Sequence, residues 1–315
     1  MSEQAAGGAT TGRRAAGEPG PDPDSAQLDS ARPDSARPDS AQLDRLAGLF
    51  ADGPAALLTG AGISTDSGIP DYRGEGSPPR APMRIDQFLG DPAYRRRFWA
   101  GARVGALRMR GIEPNAGHVA AASLERGGLL TGTITQNVDD LHRRAGSVEL
   151  AELHGNGSVI RCVEHGHRWS RAEVLGWFDA ANPGFAERNA EAGMTPDGDA
   201  DVGGASGLDG VAVPVCPACG ALLRPDVVYF GEHVPTAVFD RAARIVAEAS
   251  AVIVAGSSLA VNTGVRLVHR AEQRGLPVAV INRGPTSIDA RPSVRVRIDG
   301  GTSEWLTALV ARLGA

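Results

Sequence analysis

Residues 55–73 read AALLTGAGISTDSGIPDYR, and their reading decides the fold. Ala55–Thr59 is a short apolar run of the length of a buried strand. The chain then breaks into Gly60-Ala61-Gly62-Ile63-Ser64, where small residues let backbone N–H groups approach an anionic ligand. Thr65 stands where the dinucleotide fingerprint G-x-G-x-x-G would place its third glycine, so the turn alone leaves a phosphate site and a plain strand-to-helix turn both open. Gly68-Ile69-Pro70-Asp71-Tyr72-Arg73 follows, placing a carboxylate, an aromatic ring and a guanidinium on a loop stiffened by proline.

Outward from this stretch, strand and helix patterns alternate. A helix is expected over Leu43–Phe50, and Arg84–Arg110 carries Phe88, Tyr94, Phe98 and Trp99 among arginines, as amphipathic helices covering a cleft would. Pro114–His118 opens a helix that stops at Gly127-Gly128, and His118 reads as a hydrogen-bonding structural residue. Leu129–Thr135 is a second strand with Gln136-Asn137-Val138-Asp139 at its carboxyl end, where open α/β sheets bind ligands. Glu149–His154 is a third. Ala251–Ala255, Pro277–Ile281 and Val294–Ile298 read as further strands, alternating with helices over 237–249, 263–274 and 304–313. The alternation calls for an α/β fold, a Rossmann-like doubly wound parallel sheet.

Residues 159–221 interrupt that rhythm with a smaller inserted module. Cys216-Pro217-Ala218-Cys219-Gly220 is a C-x-x-C knuckle, and Cys162-Val163-Glu164-His165-Gly166 repeats its form with histidine second. Three thiolates and an imidazole make a closed tetrahedral shell for one structural zinc. Cys162, His165, Cys216 and Cys219 are the expected ligands, with His167 the alternative to His165. The Gly- and Asp-rich stretch 180–213 reads as a loose excursion, 75–82 as a mobile loop, and the Pro-, Ser- and Asp-rich residues 1–42 as a disordered tail.

Composition narrows the function classes. The chain has 315 residues, 42% of them hydrophobic, a net charge of −5 and three cysteines. No run reaches the roughly 18 apolar residues of a membrane span, and the acidic balance disfavours a nucleic-acid binder. A low, odd cysteine count fits a reducing cytoplasm. All 32 residues of the Lys/Arg class are arginine, and the chain contains no lysine.

GAGIS followed by GIPDYRG resembles the cofactor loop of the sirtuins, NAD-dependent protein deacylases. QNVD at 136–139, ELHG at 152–155 and RPDVVYFGE at 224–232 are similar to further sirtuin motifs in the same order. The resemblance covers about residues 43–315 and is closest to the class II, mitochondrial-type branch and its bacterial relatives. It implies a catalytic domain with a Rossmann-like core (about 43–74, 112–158 and 222–315), a helical module (75–111) and a zinc module (159–221). It implies His154 as general base and Asn137 as its catalytic companion. It assigns NAD to Gly60, Ala61, Gly62, Ser64, Asp71, Tyr72, Arg73, Gln136, Asp139, Gly256, Ser257, Ser258, Asn282, Gly284 and Thr302. Acylated-lysine peptide falls to Val228, Phe230, Gly231 and Glu232, with neither nucleic acid nor membrane as partner. Protein mono-ADP-ribosyl transfer from the same NAD site is the rival activity, and a non-catalytic NAD-responsive scaffold the rival from another class.

Overall fold

The structure, a computed structural model, describes residues 38–71, 83–193, 199–202 and 207–315. The expected tail up to residue 37, the 75–82 loop, Tyr72 and Arg73 lie outside the described residues. In chain order the elements are α1 (Ser40–Ala47), β1 (Ala55–Thr59), α2 (Ile85–Gly90), α3 (Pro92–Met109), α4 (Ala116–Arg126), β2 (Leu130–Thr135), α5 (Leu141–Arg144) and β3 (Leu150–Glu152). Then come β4 (Gly155–Cys162), β5 (Arg168–Ser170), α6 (Arg171–Ala181), α7 (Phe185–Arg188), β6 (Leu223–Val227) and α8 (Thr236–Glu248). β7 (Ala251–Ala255), α9 (Asn262–Gln273), β8 (Val278–Ile281), β9 (Val294–Ile298) and α10 (Thr302–Leu313) complete the chain. Regular structure begins three residues before the expected Leu43, because the Asp39 carboxylate caps α1 by accepting the Gln42 N–H at 2.8 Å.

Six strands form one parallel sheet in the order β3-β2-β1-β7-β8-β9. Side chains alternate across it. Ala56, Leu58, Val252, Val254, Val278 and Val280 meet α8 and α9 through Phe239, Ile245, Leu267 and Val268. Ala55, Leu57, Ala251, Ile253 and Ile281 meet α1, α4 and α10 through Leu46, Leu124, Trp305 and Leu306. Burial on both faces is why these strands read as continuous apolar runs. Each fully buried aliphatic side chain contributes about 1.5–3 kcal/mol.

The chain order reverses between β1 and β7, so the crevice at the carboxyl ends of these two strands is the topological switch point. Two glycine turns meet there. The Gly62 N–H donates to the Gly256 carbonyl at 2.8 Å, and a Cβ on Gly256 would lie 2.4 Å from the Ile63 nitrogen. Gly256 also sits at φ +64°, in the left-handed region. Glycine is what allows the two backbones to touch.

A second sheet, antiparallel β5-β4-β6, stands apart from the first. The helical and zinc segments share one hydrophobic core: Trp99, Ala100 and Val104 of α3 pack with Ile160, Cys162, Phe178, Phe185 and Leu223. The stretch 180–213, expected to be loose, contributes Phe185, Ala200, Val202 and Val211 to that core. Its anchor is Gly101 of α3, whose carbonyl accepts the Ala200 N–H at 2.9 Å; a Cβ there would come within 2.6 Å of the Ala200 oxygen. Composition concealed these few apolar anchors among glycines and acids.

Candidate functional site

The crevice at the switch point gathers side chains from several strand ends. Ser64 follows the Gly60–Ile63 turn after β1, and its hydroxyl donates to Asp139 Oδ2 at 2.6 Å. Asn137 Nδ2 donates to the Ser64 hydroxyl at 3.0 Å and to the Gly60 carbonyl at 3.2 Å. Gln136 Nε2 reaches Ser257 Oγ at 2.8 Å, linking the end of β2 to the turn after β7. Asp139 Oδ1 accepts the Leu141 N–H at 3.0 Å, which fixes the carboxylate at the head of α5. Thr302 lies buried at the start of α10, and a Cβ on Gly256 would meet its Oγ1 at 3.0 Å. Asn282, after β8, turns its amide onto the Arg283 and Gly284 carbonyls at 2.9 and 3.1 Å. Ser258 follows Ser257 in the same turn, its carbonyl accepting the Ser287 N–H at 3.0 Å. Asp71 is the last described residue before Tyr72.

Most of the residues expected to hold NAD are therefore brought to one crevice. The donor set fits a dinucleotide: a turn free of side-chain bulk, a carboxylate suited to sugar hydroxyls, and amides and hydroxyls at successive strand ends.

His154 follows β3 and faces this cluster. Its Nδ1 lies 2.8 Å from the Gln136 carbonyl oxygen. A carbonyl only accepts, so Nδ1 carries the proton and Nε2 keeps its lone pair. Burial lowers the His154 pKa below 6.5, against the opposing pull of the Gln136 carbonyl. The ring is a neutral base at physiological pH.

Behind Ser64 lies a pair of histidines whose catalytic neighbourhood was not legible in the sequence. The Asn115 N–H donates to His118 Nδ1 at 3.3 Å, leaving His118 Nε2–H directed at Ser64 Oγ at 3.5 Å. His142 Nε2 pairs with Thr59 Oγ1 at 2.8 Å, and its ring meets His118 edge-on, centroids 4.9 Å apart. His142 Nδ1 is buried with no hydrogen-bond partner among the described residues. Burial lowers His142 to about 3, with His118 adding to the effect. Burial likewise lowers His118 to about 4, although Asp139 and Asp66 pull upward. The available signal was Asn115 three residues before His118, a helix-capping pair. His142 carried none, since its environment depends on the distant Thr59.

The segment 224–232 borders His154, whose carbonyl accepts the Val228 N–H at 2.8 Å. Its shape is set by Arg224, buried and paired in two parallel bonds with Glu232 at 2.6 and 2.5 Å. The Tyr229 N–H also donates to Glu232, at 2.9 Å. Burial would raise the Glu232 carboxyl, but the bonds from Arg224 and Tyr229 outweigh it and hold the pKa low. With Tyr229 turned inward against Arg224, Phe230 turns outward and is 51% exposed. The Glu232 side chain thus shapes the segment from within. Gly231 adopts φ +93° beside Arg84, and the Phe230 carbonyl accepts the Ile85 N–H at 3.0 Å.

The metal cluster consists of Cys162, His167, Cys216 and Cys219, whose ligand atoms all lie within 4.8 Å of one another. Sulfur–sulfur and sulfur–nitrogen separations of 3.5, 3.4 and 4.0 Å link Cys162 to Cys219, Cys216 to His167 Nδ1, and Cys219 to His167 Nδ1. A tetrahedral zinc with sulfur at about 2.3 Å requires edges of about 3.8 Å, so the donor set fits. His167 replaces the expected His165. Cys162 and His167 face each other across the turn between β4 and β5, where the Cys162 N–H donates to the His167 carbonyl at 2.8 Å. His165 instead supplies its backbone N–H to Cys162 Sγ at 3.4 Å, and its ring stacks on that of His167. A knuckle places a short thiolate correctly at that position; the longer imidazole reaches the cluster from the opposite arm of the turn.

Comparison with known proteins gives a consistent result. The Sir2 family model matches residues 60–263. A protein of Mycobacterium avium named NAD-dependent protein deacetylase 1 is 48% identical over 271 residues, covering 85% of this chain and 94% of its own length. An NAD-dependent protein deacetylase of Xanthomonas campestris is 45% identical over 243 residues, 76% of this chain and 82% of that protein. Among solved structures, a Sir2 complex with p53 peptide and NAD+ superposes with a TM-score of 0.69 at 31% identity, covering 86% of this chain and 98% of the other.

Proposed function

The chain belongs to the Sir2 family, and on that premise we propose that its crevice removes acyl groups from protein lysines at the expense of NAD. NAD is the co-substrate and acylated-lysine proteins or peptides are the substrates. The observation that carries the assignment of roles is the junction of the Ser64–Asn137–Asp139 cluster with the unprotonated Nε2 of His154 at the switch point.

Bound in the crevice, NAD would supply an electrophilic ribose carbon and the sugar that accepts the acyl group. The chain's residues position and deprotonate. Asn137, held by Ser64 and Gly60, and Gln136, held by Ser257, present amides to the carboxamide and ribose. Asp139 offers its carboxylate to sugar hydroxyls. His154 Nε2 accepts a hydroxyl proton, with Nδ1–H anchored on Gln136 so that the ring cannot present the wrong nitrogen. Val228, Gly231 and the outward Phe230 meet an extended peptide by strand addition. Holding both reactants in register can supply roughly 7–11 kcal/mol of the barrier reduction.

A zinc ion held by Cys162, His167, Cys216 and Cys219 would fix the small lobe, its four protein ligands leaving no position open for catalysis. The three cysteines gather at this cluster and form no disulfide with one another. Among the described residues no helix is long and apolar enough to cross a membrane. Comparing His154→Ala and Asn137→Ala with wild type tests the roles, using an acetyl-lysine peptide. Loss of turnover with zinc content and folding retained is expected; wild-type turnover in His154→Ala would defeat the base assignment.

A further inference from the structure

The outer face of α9 carries a feature that the chemistry above does not use. A concavity of about 530 Å3 is lined by Arg266, His269, Arg270 and Gln273 of α9, by Asn262 at its start, and by Arg291. That volume lies in the range of small-molecule pockets. The polar groups lining it are donors, cations and amides, with no carboxylate among them. The inner face of the same helix, through Leu267, Val268 and Ala271, is buried in the sheet core.

The charge there is unbalanced. Arg291 is compensated by Glu272 at 2.7 Å, and Glu272 is also held by Ser293. Arg266 and Arg270 pair with no carboxylate among the described residues. Both instead lie over the ring of Phe239, at 4.4 and 5.3 Å from its centroid. Two guanidiniums four residues apart repel each other. Stacking on one aromatic ring orders them in advance, so little freedom is lost when their N–H edges bind a ligand.

We infer that this groove is a binding site for a small oligoanion carrying at least two phosphoryl groups, separate from the NAD crevice. Two like charges held side by side match two adjacent anionic groups better than one, and the span of a single helix face suits a small ligand. The site has a physical link to the NAD crevice: a Cβ on Gly264, in the first turn of α9, would meet Leu259 at 2.7 Å and the Gln136 amide at 3.3 Å.

The test is calorimetric titration of the zinc-loaded full chain with inorganic pyrophosphate, with and without saturating NAD. Expected are one site per chain that persists with NAD present, weaker binding of inorganic phosphate, and loss of affinity as salt screens the arginines. Arg266→Gln with Arg270→Gln should weaken pyrophosphate at least tenfold while deacylation and melting temperature stay at wild-type values. Gln273→Glu, which adds one carboxylate to the groove, should weaken it in the same direction and covers the case of a poorly folding double variant. Displacement of pyrophosphate by NAD would overturn the inference. So would unchanged affinity in these variants, or saturation by an oligonucleotide but not by pyrophosphate.

Discussion

His142 is a buried titratable group beside the crevice, and its replacement by glutamine tests the electrostatic reading quantitatively. Its ordinary value is 6.5 and burial lowers it to about 3. Between those limits the unfolded chain binds a proton that the folded chain refuses. Stability therefore rises with pH through this window, is fully present above 6.5, and is lost as the pH falls. The slope approaches about 1.4 kcal/mol per pH unit, and integration from pH 7 to pH 5 gives a loss of about 2 kcal/mol from this ring alone. The groups facing it are His118 and Thr59, with Asp139 and Asp66 acting on His118. Glutamine keeps a polar group within reach of Thr59 Oγ1 and does not titrate. Guanidinium unfolding of zinc-loaded wild type and His142→Gln at pH 7, 6 and 5 should show the wild type losing about 2 kcal/mol more than the variant. Any constant cost of repacking against His118 cancels from that difference. Parallel stability curves for the two proteins would refute a His142 that is buried and neutral.

Other predictions follow from single contacts. Gly256→Ala places a Cβ 2.4 Å from the Ile63 nitrogen at φ +64°, so strain and overpacking should cost about 2–5 kcal/mol and raise the KM for NAD; a wild-type unfolding midpoint and KM would contradict the close approach of the two turns. His167→Ala should lose stoichiometric zinc by elemental analysis while His165→Ala retains it, and the opposite result would restore His165 as ligand. The pH profile of kcat/KM should fall on the acid side with an apparent pKa below 6.5, since burial lowers His154. An acid limb centred above 7 would be inconsistent with that environment.

Much of the parallel sheet was legible because its strands are buried on both faces and therefore apolar throughout, as in Ala251–Ala255. The strand-end residues Asn137 and Asp139 were legible by position, since a polar cluster after an apolar run in such a fold falls at the ligand crevice. The choice between His165 and His167 was not, because spacing along the chain does not report which arm of a tight turn faces the cluster. Nor was the packing of 199–202 against α3, which rests on the missing side chain of Gly101. The buried His118–His142 pair stayed hidden for a similar reason. Its members lie on different helices and meet only once β1 and β2 are side by side.

The product balance of one reaction bears most directly on the whole account. Zinc-loaded protein, NAD and an acetyl-lysine peptide should yield free-lysine peptide, nicotinamide and acetyl-ADP-ribose in equal amounts by mass spectrometry, and His154→Ala should yield none of the acetyl-ADP-ribose. Label from NAD appearing on protein, with the peptide still acetylated, would contradict it.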